Sequence, residues 1–112
     1  MSIILPPAAS IRELNDTFRR TLCGGKVFFS AGVSALGVAF THQALAKVRA
    51  FSDFGANNDP HGEHDFACLT LHGEKLFWKI DYYDVDCRYG SEDPADPART
   101  CRVLTIMLAE EY

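Results

Sequence analysis

The 112-residue sequence has no run of about 18 apolar residues, so no segment of it is predicted to cross a membrane. A C-x-x-C pair is also missing. Cys23, Cys68, Cys87 and Cys101 are widely and irregularly spaced, which argues against zinc and dithiol redox sites and leaves reduced, partly buried thiols as the expectation. Neither an internal repeat nor a low-complexity tract is present, so nothing points to a solenoid or a disordered chain. The stretch MSIILPPAAS lacks basic residues and is interrupted by two prolines, so it does not read as a secretory signal, and a cytoplasmic location is expected. Positive charge is scarce in the second half. Residues 1–50 carry six Lys and Arg against two acids, whereas residues 51–112 carry five against thirteen. Such an acidic half disfavours direct nucleic-acid binding, which depends on clustered Lys and Arg, and favours cations or basic protein surfaces as partners.

What is present suits one globular domain spanning residues 1–112, with residues 1–9 as a loosely ordered arm. Hydrophobic residues make up 47% and charged residues 23%, well away from the composition of disordered chains. SIRE at 10–13 predicts a capping box on Ser10 and Glu13, followed by a helix with Ile11, Leu14, Phe18 and Leu22 on its apolar stripe and Gly24-Gly25 as its stop. Arg12, Arg19 and Arg20 fall off that stripe and are expected to face solvent. KVFFS then reads as a strand. A second helix is expected from Thr41 to about Phe51, capped by Thr41, stapled by Phe40 against Leu45, and burying Leu45, Val48 and Phe51. Residues 31–40 fit strand, turn or helix about equally.

FACLTLHGEKLFWKIDYY predicts a hairpin. A Gly73-Glu74 turn of type II′ would pair His72 with Lys75, Leu71 with Leu76, Leu69 with Trp78 and Ala67 with Ile80, making one face wholly apolar. TCRVLTIMLAEEY is apolar on both alternations from Val103 to Leu108 and reads as a central strand covered on two sides, with a buried helix as the alternative. The expected fold is therefore α+β: a two-layer sandwich in the order α-β-α-β-β-β, with two helices on one face of a mainly antiparallel sheet of about four strands.

Two polar segments are candidates for chemistry. NDPHGEHDF places His61 and His64 among Asp59, Glu63 and Asp65. His61 and His64 with Asp59 or Asp65 could ligate a divalent transition metal and leave a position open for water, or could serve as an acid/base pair. The spacing matches neither H-E-x-x-H nor a zinc finger, and a hydrogen-bonded loop leading into the hairpin is the leading reading. The second segment follows the hairpin. Its acids and aromatics, Asp81, Tyr83, Asp84, Asp86, Tyr89, Glu92, Asp93 and Asp96, suit a surface that binds something basic. An EF-hand is excluded, because Gly90 falls at position seven from Asp84 and no Glu stands at position twelve.

NDPHGEHDF, FWKIDYYD, YGSEDPADP and RVLTIMLAEEY together resemble the small bacterial family designated domain of unknown function 3768, over nearly all of Ile11 to Tyr112. The resemblance implies no assigned activity, cofactor or catalytic residue, and it implies accessory genes of alphaproteobacterial genomes, plasmids and integrative elements. Taken with the acidic half, it leads to the expectation of a non-enzymatic, cofactor-free protein-interaction module of mobile-element type. Such a module could inhibit a host nucleic-acid-targeting defence system, anti-CRISPR or antirestriction, without binding nucleic acid or membrane itself. The alternative is a metal-dependent hydrolase or nuclease centred on His61 and His64.

Overall fold

A computed structural model describes residues 7–112. The elements run α1 (Pro7–Thr21), β1 (Gly25–Phe29), α2 (Ala31–Ala35), α3 (Val38–Ala50), β2 (Phe66–Leu71), β3 (Glu74–Tyr83) and β4 (Cys101–Leu108), closed by a 3-10 turn at Ala109–Glu111. The four strands form one sheet in the order β1-β4-β3-β2, antiparallel except that β1 runs parallel to β4. This is the predicted α+β fold with one helix more. The extra helix, α2, occupies the ambiguous stretch, where the Ser30 hydroxyl accepts from the Val33 amide as an N-cap.

Both long helices begin earlier than their sequence signals suggest. α1 starts at Pro7, because a proline in the first turn gives up no helical hydrogen bond and has its φ already set, so Ser10 lies inside the helix rather than capping it. Residues 7–9 of the arm expected over residues 1–9 therefore belong to α1, and residues 1–6 lie outside the described part. At the other end Leu22, not a glycine, takes the left-handed conformation (φ 59°). α3 starts at Val38 behind Gly37, whose φ of 101° lets the chain turn sharply out of α2. Thr41 thus sits inside the helix and donates its hydroxyl to the Val38 carbonyl at 2.8 Å, and the Phe40–Leu45 staple does not form.

The hairpin turn is His72-Gly73, not Gly73-Glu74. Both residues have positive φ (50° and 81°), as a type I′ turn requires, and β2 pairs Leu71 with Glu74, Leu69 with Leu76 and Ala67 with Trp78. Moving the turn by one residue shifts each partner by two, so the faces are unchanged and the apolar face survives.

That face meets the helices. Ala67, Leu71, Leu76, Trp78, Ile80, Leu104, Ile106 and Leu108 from the sheet close on Phe18, Val33, Ala44 and Val48 from the helices, with Leu45 and Phe51 partly buried at the margin. Trp78, fully buried, lies edge-on to Phe51 and Phe54. β1 and β4 approach closely at Gly25, where a β-carbon would fall 2.1 Å from the Arg102 carbonyl oxygen. β4 is central in the sheet, as its apolar run predicts, but the expected covering on two sides is not seen among the described residues, whose helices cover one face; on the other, Val103 and Met107 are shielded by neighbouring side chains, with Tyr112 folded against Phe66 and Phe77. Glu111 ties the closing turn to α2, accepting from the Ser30 hydroxyl (2.5 Å), the Gly32 amide (3.0 Å) and the Leu108 amide (2.9 Å), bonds that hold its carboxyl below the usual range.

Candidate interaction surface

The two polar segments of the sequence reach opposite fates. In the first, His64 turns inward. Its Nδ1 lies 2.9 Å from Asp16 Oδ1 on α1 and its Nε2 3.5 Å from Asp59 Oδ2, while its ring stacks on Phe54 at 3.8 Å between centroids. The His64 amide donates to Asp59 Oδ1 at 3.2 Å, which holds the residue in a left-handed conformation (φ 55°) that a side chain of this size rarely adopts. With both ring nitrogens facing carboxylates, the imidazole clamps the segment after α3 onto α1 and presents neither nitrogen to a substrate.

His61 points elsewhere. It is exposed and lines a shallow surface hollow of about 340 Å³ with Asp59, Asp65, Lys79, Asp81 and Tyr112. The Asp65 carboxyl there is pushed above the usual range, chiefly by burial and then by the charge of Glu63. His64 therefore does not join His61, Asp59 and Asp65 at that hollow, and among the described residues no group of three or more His, Cys, Asp or Glu side chains is placed to hold a metal ion. The loop itself is internally hydrogen-bonded, with the Gly55 amide donating to Asn58 Oδ1 at 2.6 Å and the His64 amide to Asp59 Oδ1.

A network that the helical pattern hides sits beside this clamp. Arg19, expected in solvent, is only 3% exposed. Its guanidinium donates to the Val48 and Phe51 carbonyls (2.8 and 2.9 Å) at the end of α3 and to Asp16 (2.8 Å), and lies over the Trp78 and Phe54 rings. It thereby gives the Val48 carbonyl a second donor beside the Phe51 amide and satisfies the Phe51 carbonyl just past the end of α3. One residue earlier than Asp16, Asn15 is fully buried. It donates to the Glu63 carbonyl (2.9 Å) and the Tyr82 hydroxyl (2.8 Å) and accepts from Arg102 Nε (2.7 Å). Tyr82 in turn donates to Glu63 Oε1 at 2.9 Å, and burial pushes its phenol far above the usual range. A polar residue on the buried side of a helix was the only sequence signal for this network, and it stays silent until the partner residues are known.

The second segment stays outside. The loop from Asp84 to Thr100 is fastened at its base by the Asp84 amide on the Tyr89 carbonyl (2.8 Å) and the Ser91 amide on the Tyr82 carbonyl (2.9 Å). Its aspartates serve largely as internal caps: Asp84 accepts from the Arg88 amide (3.0 Å), Asp93 from the Ala95 amide (3.3 Å) and Asp96 from the Ala98 amide (3.0 Å). Arg102 reaches the Pro94 carbonyl at 2.6 Å and anchors the loop to the buried network. Glu92 pairs with Arg99 at 3.0 Å, and Asp81 with Lys79 at 2.7 Å on the open sheet face, where Tyr83 is half-buried. Asp86 is exposed.

Between these caps the loop displays apolar groups. Tyr89 is 74% exposed and Val85 62%. They line a hollow of about 390 Å³ with Asp84, Gly90, Glu92, Ala98 and Arg99. Of the eight residues that the sequence singled out, the structure brings Asp84, Tyr89 and Glu92 around this hollow, gives Asp93 and Asp96 to the loop's own backbone, places Asp81 and Tyr83 on the neighbouring sheet and leaves Asp86 exposed beside the hollow's lining. Val85 and Arg99 were missed, since only the folded loop brings them beside Tyr89. Cys87, in the same loop, comes beside Cys101 at the start of β4, and burial followed by this neighbour raises the Cys101 thiol above its usual range.

No helix among the described residues is long and apolar enough to cross a membrane. No curated protein and no solved structure matches the chain. The family described as "Protein of unknown function (DUF3768)" matches residues 29–111, which span β1's last residue, α2, α3, the hairpin, the acidic loop and β4. With about three quarters of its length inside that match, this chain belongs to the DUF3768 family.

Proposed function

We propose that the chain is a non-enzymatic protein-interaction module that docks through the loop Asp84–Thr100 onto a basic surface of a partner protein. The observation that carries this reading is the exposed pair Tyr89 and Val85, held on a loop whose backbone is fixed by its own carboxylates. An exposed aromatic on a fixed loop is a pre-organised anchor: little conformational freedom is lost when it is buried, and its ring supplies a large contact area. Residues 81–100 hold six carboxylates against Arg88 and Arg99, so the rim around that anchor is negative and steers cationic surfaces toward it. The structural use of Asp84, Asp93 and Asp96 narrows the contact set to Tyr89, Val85, Asp86 and Glu92. Among proteins with a basic face, our reading favours a nucleic-acid-targeting defence complex of the CRISPR or restriction type, encoded against by a mobile element, with this chain as its inhibitor.

The test is capture of partners from the host with wild-type bait and with Asp86→Asn/Glu92→Gln/Tyr89→Ala bait, followed by kinetics on the partner that the variant loses. Association with wild type should slow steeply as salt rises, and Tyr89→Ala alone should speed dissociation by about tenfold or more. Nucleic acid should compete for the partner. A partner with an acidic or neutral contact surface, or equal binding by the triple variant at physiological salt, refutes the reading.

A further inference from the structure

The opposite end of the sheet carries a second surface. β2 is an edge strand, and its two-residue turn fixes which backbone groups face outward. In a hairpin closed by a type I′ turn, Leu71–Glu74, Leu69–Leu76 and Ala67–Trp78 are the hydrogen-bonded pairs, so the amides and carbonyls of Phe66, Cys68 and Thr70 point away from β3. The Ile80 amide on the Asp65 carbonyl, 2.8 Å, continues the same alternation. No hydrogen bond meets those outward groups among the described residues. Beside them runs α3, and a groove of about 530 Å³ opens between helix and strand, lined by Gln43, Ala46, Lys47, Thr70, Leu71 and His72. The His72 ring hydrogen-bonds the Gln43 side chain and closes the groove at the turn. Past Ala46 a further hollow is lined by Arg20, Arg49 and Ala50. Among the described residues no carboxylate lines either hollow, whereas Lys47, Arg20 and Arg49 do.

We propose that this edge groove binds an extended, acidic peptide segment of a partner protein, which adds to the sheet beside β2. Outward groups at Phe66, Cys68 and Thr70 recur at every second residue, the spacing at which an extended peptide offers its own donors and acceptors. Alternate side chains of such a peptide would then face the groove, where its carboxylates meet Lys47 and, further along, Arg49. Neither hollow presents a Phe, Tyr or Trp ring on which a base could stack, which separates the site from a single-stranded nucleic-acid channel. The β2 segment FACLTL carries no carboxylate, so a second copy paired edge to edge lacks the complementary charge. The groove lies at the turn end of the hairpin, while the acidic loop leaves from the far end of β3, so the two surfaces are separate and either can fail without the other.

The experiment uses the full chain labelled with nitrogen-15 and, as probe, an end-blocked peptide of about seven residues alternating glutamate and valine. The amides of Phe66, Cys68 and Thr70 should shift in a saturable manner and exchange more slowly with solvent. Lys47→Glu, on the exposed face of α3, should weaken binding by about tenfold or more, and Cys68→Pro should do the same, because it deletes an outward donor while sparing the β2–β3 ladder. Tyr89→Ala should leave peptide binding unchanged. The proposal is overturned if no saturable shift occurs, if the shifts fall away from the β2 edge, or if Lys47→Glu binds as well as wild type. It is also overturned if a lysine-valine peptide or a single-stranded oligonucleotide binds the same amides as tightly, or if those amides report self-association instead.

Discussion

Replacing Asn15 by Ala tests whether the buried polar network holds the two halves of the fold together. The side chain is fully buried and makes three hydrogen bonds, two as donor to Glu63 and Tyr82 and one as acceptor from the Arg102 guanidinium. The two neutral bonds contribute about 1 kcal/mol each and the charge-assisted bond about 2 kcal/mol. Truncation also leaves Arg102, itself 3% exposed, with one fewer acceptor for a charge that burial already disfavours. The expected loss is about 3–5 kcal/mol, toward the lower end if water enters the space, out of a total of about 5–15 kcal/mol for a domain. Trp78 is the single tryptophan and is fully buried, so its fluorescence in a urea titration reports global unfolding. The midpoint should fall at unchanged slope. Arg102→Met removes the same charged bond from the other side, so the double variant should be less destabilised than the two single effects combined by about 1 kcal/mol or more. A loss below about 1 kcal/mol for Asn15→Ala, or full additivity with Arg102→Met, would refute the view that this network is a single unit.

Two further outcomes follow from the same geometry. Because burial raises the Tyr82 phenol above its unfolded value near 10, the native state keeps a proton that the unfolded chain releases. Stability that is complete below about pH 10 should therefore drop as pH rises further, and Tyr82→Phe should flatten that decline in thermal melts; an identical alkaline decline in the variant would assign it to other groups. Since His61 and His64 diverge, equimolar zinc, manganese or nickel should leave the melting temperature of the untagged protein unchanged. A rise of several degrees that His61→Ala abolishes would restore the metal reading.

The sequence by itself determined whatever depends on local pattern. Period-two alternation through β2 and β3 assigned each side chain to its face, and the doubly apolar run Val103–Leu108 marked a central strand, although the covering on both faces that it predicts is not seen among the described residues. The acidic balance of residues 51–112 likewise required no coordinates. Three matters were left to the tertiary structure. The hairpin turn sits at His72-Gly73, where both residues take the positive φ of a type I′ turn; either turn leaves every side chain on the same face, so the alternation in the sequence could not choose between them. Arg19 and Asn15 became interior residues because their partners, the end of α3, Glu63, Tyr82 and Arg102, lie dozens of residues away, and no helical periodicity carries that information. His64 parted from His61 for the same reason: its carboxylate on α1 is 48 residues distant. Composition marks a polar segment as available for chemistry. Only packing decides whether its groups meet solvent, as at Tyr89 and Val85, or one another, as at His64 and Asp16, because most buried polar groups are stable only with a partner, wherever in the chain that partner happens to be.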